Sequence, residues 1–272
     1  MKVPNKQRYQ HPLLSIITIN LNNASGLRQT LQSLAVQNWQ NFESIIVDGG
    51  STDDSVEIIK HFEDQNALRI GTWVSEKDRG LYHAQNKGIR AAKGKYTLFL
   101  NSGDYLFSPK TLENLKPEQW TTDIVYGNIL LKSRFREIHS HMPETISWEH
   151  LYHNSLMHPA TFISRDLFEK VGFYREDFKI CSDYYFFVKA ILGFHASLTY
   201  VNDVISVFSA GGVSSSRKFR TTHDSERNQT IAELFKPEVL LQILRRTEDK
   251  MNSFKFAVMA IPRYFVRRYR GL

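Results

Sequence analysis

Two aspartates stand where an apolar run gives way to a polar loop. Asp104 comes near the end of the stretch YTLFLNSGDY, and Asp48 directly follows the mainly apolar run FESIIV. A lone carboxylate at a strand end suits Mg²⁺ or Mn²⁺, because these ions take few protein ligands and complete their shell with substrate phosphates and water. The two aspartates therefore indicate a site for a nucleotide diphosphate, with a divalent metal ion at Asp104.

Polar clusters end four of the predicted strands. They occupy residues 18–23, 48–53, 76–80 and 101–104. Asn, Asp, Ser and Gly are also the usual residues of loops and helix N-caps, and capping is the favoured interpretation for Ser51, Asp53 and Asp54. A ligand role is favoured for Asp48 and Asp104, because helix capping does not obviously need them.

Alternating strands and helices must bring these clusters together. The apolar patterns predict strands over residues 13–19, 42–47, 68–74 and 96–100, and helices over 25–35, from 51 or 52 onward, and over 80–93. Such alternation predicts βαβ units and a largely parallel sheet. Ligands of open α/β sheets bind at the carboxyl ends of the strands, so the four clusters are expected to share one edge.

The chain lacks the signatures of several other sites. Gly94-Lys95 is followed by Tyr96 rather than Ser or Thr, so there is no Walker A loop, and no G-x-G-x-x-G follows the first strand. The single cysteine, Cys181, excludes an internal disulfide and a zinc site built on paired cysteines. With 272 residues, 42% of them hydrophobic, the chain is long enough for one large α/β domain or two small ones.

The positive charge is concentrated near the end of the chain. Six basic residues and no acidic residue follow Asp249; without these six, the 35 Lys and Arg become 29, against 28 Asp and Glu. A nearly neutral body argues against a nucleic-acid-binding protein. The basic, aromatic-rich segment 252–270 predicts an interfacial helix on an anionic membrane, and a helix packed on the domain is the alternative. No apolar run approaches the ~20 residues needed to span a bilayer.

Five segments follow one another along the chain in a recognisable order. They are SIITINLN, IIVDGGSTDDS, SEKDRGLYHAQNKGIRAAKGKY, LFLNSGD and DYYFFVKAI. In this order they resemble the family-two glycosyltransferases of the GT-A fold, over residues 14 to about 213. The NSGD form is similar to that of bacterial enzymes that build capsule, colanic-acid and O-antigen polysaccharides. The resemblance implies an α/β fold with a Rossmann-like nucleotide-binding half, whose central sheet is mostly parallel, and a smaller acceptor-binding half.

The resemblance also implies the domain layout. A GT-A domain would cover residues 1–215, with the nucleotide-binding lobe at about 13–105 and the acceptor lobe at about 106–215, followed by a helical extension over 216–272. In the acceptor lobe the pattern predicts one or two strands within 124–139 with a turn near Gly127-Asn128, helices over 164–170 and 182–192, and a hairpin with its turn at Asn202-Asp203.

The family assigns roles to the positions that match its motifs. The implied nucleotide-sugar contacts are Thr18 and Asn20 along the nucleoside, Asp48 on the base, Asp78 and Arg79 near the nucleoside and diphosphate, and Asn101. Asp104 matches the last aspartate of a D-x-D-like motif and would hold Mg²⁺ or Mn²⁺. The chain departs from this motif, because Asn101 stands where Asp is common and Gly103 replaces the penultimate Asp. One protein ligand of the metal is therefore implied.

Sugar transfer to a hydroxyl group also needs a base, and a carboxylate suits this task. Asp183, in CSDYYFF, matches the catalytic aspartate of the family, although an acid favoured by the helix dipole is the alternative. His158, in MHPATF, is a candidate contact for the acceptor or a phosphate, or else a structural histidine. His139 and His141 have no evident acidic partner that would make them a metal site.

Together the residues and the resemblance imply an inverting glycosyltransferase of surface polysaccharide biosynthesis. Its donor would be a nucleotide-diphosphate sugar, with a UDP-sugar favoured and a GDP-sugar as the alternative, and its acceptor a saccharide or lipid-linked saccharide. The expected location is cytoplasmic, on the inner face of the bacterial plasma membrane, with no nucleic-acid partner. Two alternatives are a sugar-1-phosphate nucleotidyltransferase, whose glycine-rich N-terminal loop is absent here, and a non-catalytic nucleotide-sugar-binding protein, which would not need Asp183.

Overall fold

A computed structural model describes most of the chain. It covers residues 12–65, 68–133, 135–209 and 219–237. Residues 1–231 form one compact unit, and residues 232–272 form a second. The predicted membrane-binding segment 252–270 and the predicted boundary at 215 lie outside the described residues. Within these residues no helix is long and apolar enough to cross a bilayer.

Strands and helices alternate in the first half, as the apolar pattern predicts. The strands are β1 (Leu14–Asn20), β2 (Phe42–Asp48), β3 (Ile70–Ser75) and β4 (Tyr96–Phe99), and the helices are α1 (Ala24–Ala35), α2 (Ser55–Asp64) and α3 (Leu81–Ala91). β1 and β2 bury nearly all their side chains, as expected for central parallel strands. α1 packs Leu27, Leu31 and Leu34 into the core, on the predicted face.

The second half contains shorter elements. The strands are β5 (Tyr105–Leu106), β6 (Ile124–Lys132), β7 (Glu137–Ser140), β8 (Thr161–Ser164) and β9 (Leu198–Ser209), and the helices are α4 (Thr111–Leu115), α5 (Trp148–His153), α6 (Arg165–Val171), α7 (Ser182–Val188) and α8 (Arg220–Leu234). α7 continues into a wider π-helical turn over Lys189–Gly193. The helices predicted over 164–170 and 182–192 are therefore confirmed.

The predicted hairpin at Asn202-Asp203 is wrong. β9 is one continuous strand parallel to β6, and the register of the pair shifts between Gly127 and Asn128. Asn202 and Asp203, whose types are common in turns, instead lie in a bulge of β9. There Asn202 Oδ1 accepts hydrogen bonds from Asn128 Nδ2 and Tyr200 Oη, each at 3.1 Å. The predicted turn near Gly127 is wrong as well, because β6 continues past it.

One mixed sheet joins the two halves. Its strand order is β3-β2-β1-β4-β8-β6-β9-β5, and β7 pairs with β6. β1 runs parallel to β2 and β4, and β2 runs parallel to β3, whereas β8 is antiparallel to β4 and β6. β4 is thus the boundary strand, with β1 on one side and β8 on the other. The loop after β4, which carries Asp104, lies where the two halves meet.

Candidate active site

Three neighbouring strands end at the same level of the sheet. The register pairs Asn20 of β1 with Asp48 of β2, and Asp48 with Ser75 of β3. Because parallel strands present their carboxyl ends on one edge, the polar residues that follow them meet there. The polar residues that end β1, β2 and β3 therefore share one edge of the sheet, as predicted.

The Asp48 carboxylate is buried and accepts four hydrogen bonds from the protein. Its Oδ1 accepts from Asn20 Nδ2 at 2.8 Å and from Ser51 Oγ at 2.5 Å. Its Oδ2 accepts from Ser51 N at 2.9 Å and from Ser75 Oγ at 2.6 Å. Burial alone would raise the pKa of Asp48. The hydrogen bonds together lower it by more than burial raises it, so the pKa lies below its ordinary value. The carboxylate is ionised, and contact with a nucleobase would need a serine hydroxyl to turn away.

Thr18 and Asn20 lie on the same face of β1, because side chains alternate along a strand. Asn20 Nδ2 also donates to Ser55 Oγ at 2.9 Å, so this amide connects β1 with Asp48 and with the first residue of α2. Neither Thr18 Oγ1 nor Asn20 Oδ1 has a hydrogen-bond partner among the described residues. Buried polar atoms without partners are rare, which makes these two oxygens candidates for contact with a ligand that enters this edge.

Asp78 lies beside the loop that follows β2. A Cβ atom added at Gly49 would be 3.5 Å from Asp78 Oδ2. Asp78 Oδ1 accepts from Lys87 Nζ at 2.6 Å and lies 3.0 Å from His83 Nδ1, and Lys87 pairs with Glu76 at 2.6 Å. His83 was not singled out from the sequence, although its spacing from Lys87 puts both residues on one face of α3. α3 therefore holds Asp78 against the nucleotide edge.

Arg79 connects the two halves through Glu176. Its side chain is 76% exposed, and its Nη2 lies 2.9 Å from Glu176 Oε2. Glu176 Oε1 accepts from Asn86 Nδ2 at 3.1 Å, and Asn86 also bonds the backbone N and O of Tyr174. Glu176 was not predicted, since an exposed acid in a loop gives no local signal. The pair keeps Arg79 near the segment that leads into α7.

The loop after β4 buries Asp104. Thr30 Oγ1 of α1 accepts from Gly103 N at 3.0 Å and donates to the Asp104 carbonyl at 2.7 Å. Gly103 has a φ of +105°, a left-handed conformation that favours glycine, which explains glycine at this position of the motif. The Asp104 residue is 5% exposed, and its Oδ1 accepts from Ser209 N at 3.1 Å.

The environment of Asp104 fits a metal ion held by one protein carboxylate. Burial raises its pKa to about 6, and the charge of His158 and the hydrogen bond from Ser209 oppose this only in part. In the part of the chain that the structure describes, no three His, Cys, Asp or Glu residues cluster closely enough to hold a metal. Such a donor set fits Mg²⁺ or Mn²⁺, whose other ligands are phosphate oxygens and water. It does not fit structural zinc, which takes four protein ligands.

His158 connects the Asp104 loop with α7. Its Nε2 lies 3.1 Å from Asn101 Nδ2, and its Nδ1 lies 3.6 Å from Asp183 Oδ2. When the Asn101 amide donates to Nε2, the ring proton is on Nδ1, toward Asp183. Asn101 Oδ1 is buried and has no partner among the described residues. The imidazole of His158 thus contacts Asn101, from the motif that contains Asp104, and Asp183, from a separate motif.

Asp183 lies in the first turn of α7 and is partly exposed, with 22% of its side chain accessible. Its Oδ1 accepts from Tyr184 N at 2.9 Å and lies 3.1 Å from the Tyr82 hydroxyl. Tyr82 also contacts the Ile180 carbonyl, and burial, followed by the charge of Asp183, raises the pKa of Tyr82 well above its ordinary value. The protein therefore occupies Oδ1 and leaves Oδ2 toward His158. Tyr82 was not predicted, because in the sequence it is indistinguishable from a core residue of α3.

A cavity of about 510 Å³ lies in the second half. It is lined by Ser140, His141, Met142, Pro143, His150, Asn154, Ser155 and Met157. His150 Nε2 and Ser155 Oγ are buried and have no hydrogen-bond partner among the described residues, and burial lowers the pKa of His150. One lining residue, Met157, directly precedes His158 in the chain. None of its polar lining residues except His141 was singled out from the sequence.

Comparison with known proteins identifies relatives over most of the chain. The family model described as Glycosyl transferase family 2 matches residues 15–181. The chain is 30% identical over 208 residues to the PGL/p-HBAD biosynthesis glycosyltransferase of Mycobacterium bovis (strain BCG / Pasteur 1173P2). This alignment covers 75% of the present chain and 79% of the relative.

Two solved structures are similar in fold. The crystal structure of S. aureus TarS 1–349 in complex with UDP-GlcNAc has a TM-score of 0.62 at 22% identity, covering 81% of the present chain and 71% of TarS 1–349. The mannosyltransferase PcManGT from Pyrobaculum calidifontis, in complex with GDP-Man and Mn²⁺, has a TM-score of 0.60 at 19% identity, covering 83% and 64% of the two chains. These similarities confirm the predicted α/β GT-A fold.

Proposed function

The chain belongs to glycosyl transferase family 2, and on this basis we propose that it transfers a sugar from a nucleoside diphosphate sugar to a hydroxyl group of a saccharide acceptor, with inversion at the anomeric carbon. The observation that carries this proposal concerns His158, whose charge lowers the pKa of Asp104 and whose Nδ1 lies 3.6 Å from Asp183 Oδ2. One carboxylate is buried and suited to a metal–diphosphate group. The other is partly exposed and suited to accept a proton.

The donor is proposed to bind along the carboxyl edge of β1, β2 and β3. Thr18 and Asn20 would lie along the nucleoside and Asp48 near the base, while Asp78 and Arg79 would lie nearer the diphosphate. TarS was solved with UDP-GlcNAc and the mannosyltransferase with GDP-Man, which supports a UDP-sugar or a GDP-sugar as the donor. A UDP-sugar is favoured.

Asp104 is the proposed protein ligand of Mg²⁺ or Mn²⁺. The ion, when bound, would neutralise the charge that develops on the leaving diphosphate. The Mn²⁺ in the mannosyltransferase structure supports this proposal. The chain itself contributes a carboxylate that is shielded from bulk water and bonded by Ser209 N, on a residue whose backbone carbonyl is held by Thr30. Because burial raises its pKa to about 6, a proton competes with the cation for Asp104 below that pH.

Asp183 is the proposed general base. Since Tyr184 N and the Tyr82 hydroxyl occupy Oδ1, Oδ2 is the oxygen available to an acceptor hydroxyl. The hydroxyl proton would pass to Oδ2 while the hydroxyl oxygen bonds the anomeric carbon and the bond to the diphosphate breaks. His158 would stabilise the ionised carboxylate before transfer. A single displacement without a covalent intermediate inverts the configuration.

The cavity beside Met157 is the proposed acceptor site. His150 Nε2 and Ser155 Oγ would hydrogen-bond sugar hydroxyls, which supplies the partners that these buried atoms lack. Met142 and Met157 offer apolar surface for the less polar face of a sugar ring. Met157 lines the cavity and directly precedes His158, which supports a sugar bound there with one hydroxyl directed to Asp183.

The acceptor is proposed to be lipid-linked, in the synthesis of a surface polysaccharide or glycolipid. The mycobacterial relative is a PGL/p-HBAD biosynthesis glycosyltransferase by name, which supports a role in a biosynthetic pathway of this kind. The basic and aromatic composition of segment 252–270 supports attachment to the anionic inner face of the bacterial plasma membrane.

The proposal is tested with the purified full chain. UDP-sugars and GDP-sugars are supplied with Mn²⁺ or EDTA, and release of the nucleoside diphosphate is measured with and without p-nitrophenyl hexosides as acceptors. We expect one donor to turn over in a metal-dependent manner, faster with an acceptor. Binding without any release would favour a non-catalytic binding protein. Formation of a nucleotide sugar from a nucleoside triphosphate and a sugar 1-phosphate would favour a nucleotidyltransferase.

A further inference from the structure

A buried carboxylate of α8 holds the segment that leads into α7. Glu226 is 8% exposed. Its Oε1 accepts from Lys179 N at 2.6 Å, and its Oε2 accepts from Ile180 N at 3.0 Å and from Cys181 N at 2.8 Å. Three consecutive backbone N–H groups therefore converge on one carboxylate from a distant part of the chain.

α7 has no side-chain cap of its own. Its N-cap residue, Cys181, makes no capping hydrogen bond through its side chain. The amides at the start of a helix have no partner within the helix. Residues 179–181, which form the bend before α7, belong to no strand, so their amides have no strand partner either. Glu226 supplies partners for three amides of this bend. The position of the first turn of α7, and hence of Asp183, therefore depends on α8.

Hydrogen bonds continue from Glu226 to Asp183. Ile180 donates its N–H to Glu226, and its carbonyl contacts the Tyr82 hydroxyl. The same hydroxyl lies 3.1 Å from Asp183 Oδ1. A displacement of Ile180 would thus change the contacts on the Asp183 oxygen that faces the protein, and would alter the direction of Oδ2.

The next residue of α8 contacts the same region. The guanidinium carbon of Arg227 lies 4.0 Å from the centre of the Tyr184 ring, and its Nη2 donates to the Tyr152 carbonyl at 3.0 Å. Tyr184 directly follows Asp183, and Tyr152 belongs to α5, which also carries His150 of the cavity. α8 is therefore in contact with both the helix of the proposed base and the helix that lines the proposed acceptor site.

We infer that Glu226 is a positioning residue, whose carboxylate fixes the backbone of residues 179–181 and through it directs Asp183 toward the acceptor hydroxyl. The inference rests on the proposed function, in which Asp183 takes the proton. The family match ends at residue 181, so it contains neither α8 nor this contact. A carboxylate is required, because both of its oxygens accept, whereas an amide would turn one acceptor into a donor facing an N–H group.

Glu226→Gln keeps the size of the side chain and removes one acceptor. We expect turnover to fall by about 10–100-fold, the order of loss expected for a misplaced catalytic group. The affinity for the nucleoside diphosphate with Mn²⁺ should stay within about twofold, since the nucleotide edge belongs to β1, β2 and β3. The amides of residues 179–181 should exchange faster with deuterium. Asp224→Asn, on the same helix with a side chain 62% exposed, is the matched control and should change none of the three.

Glu226→Asp keeps the charge on a shorter side chain, and its turnover and amide exchange should lie between those of the wild type and Glu226→Gln. If Glu226→Gln does not fold, Glu226→Asp takes its place in the test. Turnover within about threefold of the wild type, or nucleotide affinity lost in proportion to turnover, would overturn the inference. If the wild-type chain transfers no sugar, the proposed function fails. The exchange measurement still applies in that case: faster exchange at 179–181 supports the contact, and unchanged exchange rejects it.

Discussion

Nδ1 of His158 lies 3.6 Å from Oδ2 of Asp183. The other ring nitrogen lies 3.1 Å from the amide nitrogen of Asn101, which belongs to the loop of Asp104. One imidazole thus links the loop of Asp104 in the first half to the Asp183 carboxylate in the second. The charge of this ring lowers the pKa of Asp104. The proposed metal ligand and the proposed base are therefore electrostatically linked.

Asp183→Asn should lower turnover by about 10²–10⁴-fold, the usual cost of losing a positioned base. Donor affinity should stay nearly unchanged, because the nucleotide edge belongs to the other half. The measurement is single-turnover kinetics together with titration of the nucleoside diphosphate. Asp166→Asn, which alters an exposed acid in the first turn of α6, is the control. Turnover of Asp183→Asn within a few-fold of the wild type, or a product that retains the donor's configuration by NMR coupling constants, would contradict the assignment.

Asp104→Asn should abolish the Mn²⁺-dependent part of nucleoside diphosphate binding, because it removes the charged oxygen proposed to hold the ion. Isothermal titration with Mn²⁺ or with EDTA measures the difference. Affinity in EDTA should change little. A variant that still binds more tightly with Mn²⁺ by the wild-type factor would show that the ion is held elsewhere.

The same variant should be more stable than the wild type in EDTA at pH 8. The folded-state pKa of about 6 lies above the ordinary 3.8, so the folded protein binds more protons than the unfolded one between these values, and stability falls as pH rises through this window. The difference between these two pKa values corresponds to roughly 3 kcal/mol in the free energy of unfolding above pH 6. Denaturant unfolding at pH 8 and pH 5 should show a smaller gain at pH 5. An equal gain at both would mean that burial does not raise this pKa.

His158→Gln should shift the pH midpoint of Mn²⁺-dependent nucleotide binding upward. The charge of His158 lowers the pKa of Asp104, so the carboxylate would ionise at a higher pH without it. Nucleotide titrations across pH 5–8 measure the midpoint, and His139→Gln, at an exposed position of β7, is the control. A midpoint that stays in place or moves down would show that the charge of His158 does not lower the pKa of Asp104.

Asp48→Asn should weaken nucleotide binding even without metal and should lower the free energy of unfolding by about 1–3 kcal/mol, because an amide nitrogen would face the hydrogen-bond donors of this site. Its lowered pKa means that ionised Asp48 stabilises the fold above its ordinary pKa and that this contribution is lost as pH falls below it. Ser75→Ala, which removes one of the four hydrogen bonds, should cost less. If only the metal-dependent affinity changed, Asp48 would belong to the metal site.

His150→Phe should raise the KM for the acceptor about tenfold, because it removes the proposed hydrogen bond to a sugar hydroxyl. Donor affinity and donor hydrolysis without acceptor should stay the same. Since burial lowers the pKa of His150, the ring is neutral near pH 7, and the effect should not depend on pH between 7 and 8. His153→Phe, at an exposed position of the same helix, is the control. An unchanged acceptor KM would move the acceptor site away from this cavity.

Several elements and sites were predictable because they have local signals. The period of the apolar residues reveals β1, β2 and α1, and the polar residues Asp48 and Asp104 stand where their strands end. The continuous strand β9 was not predictable, since Asn202-Asp203 has the composition of a turn and becomes a bulge only when β6 is beside it. Tyr82 was missed for a related reason: its hydroxyl acts at Asp183, far along the chain, while its ring packs like any core residue.

By itself the amino-acid sequence determined the alternating strands and helices, the polar edge and the family, because these follow from the spacing of residue types along the chain. Only the tertiary structure decided that His158 stands between Asn101 and Asp183, and that Glu226, within the polar segment of α8, is buried against residues 179–181. Each of these contacts joins residues that are far apart in the chain. Their distances depend on how the whole sheet and its helices pack, and no local pattern contains that information.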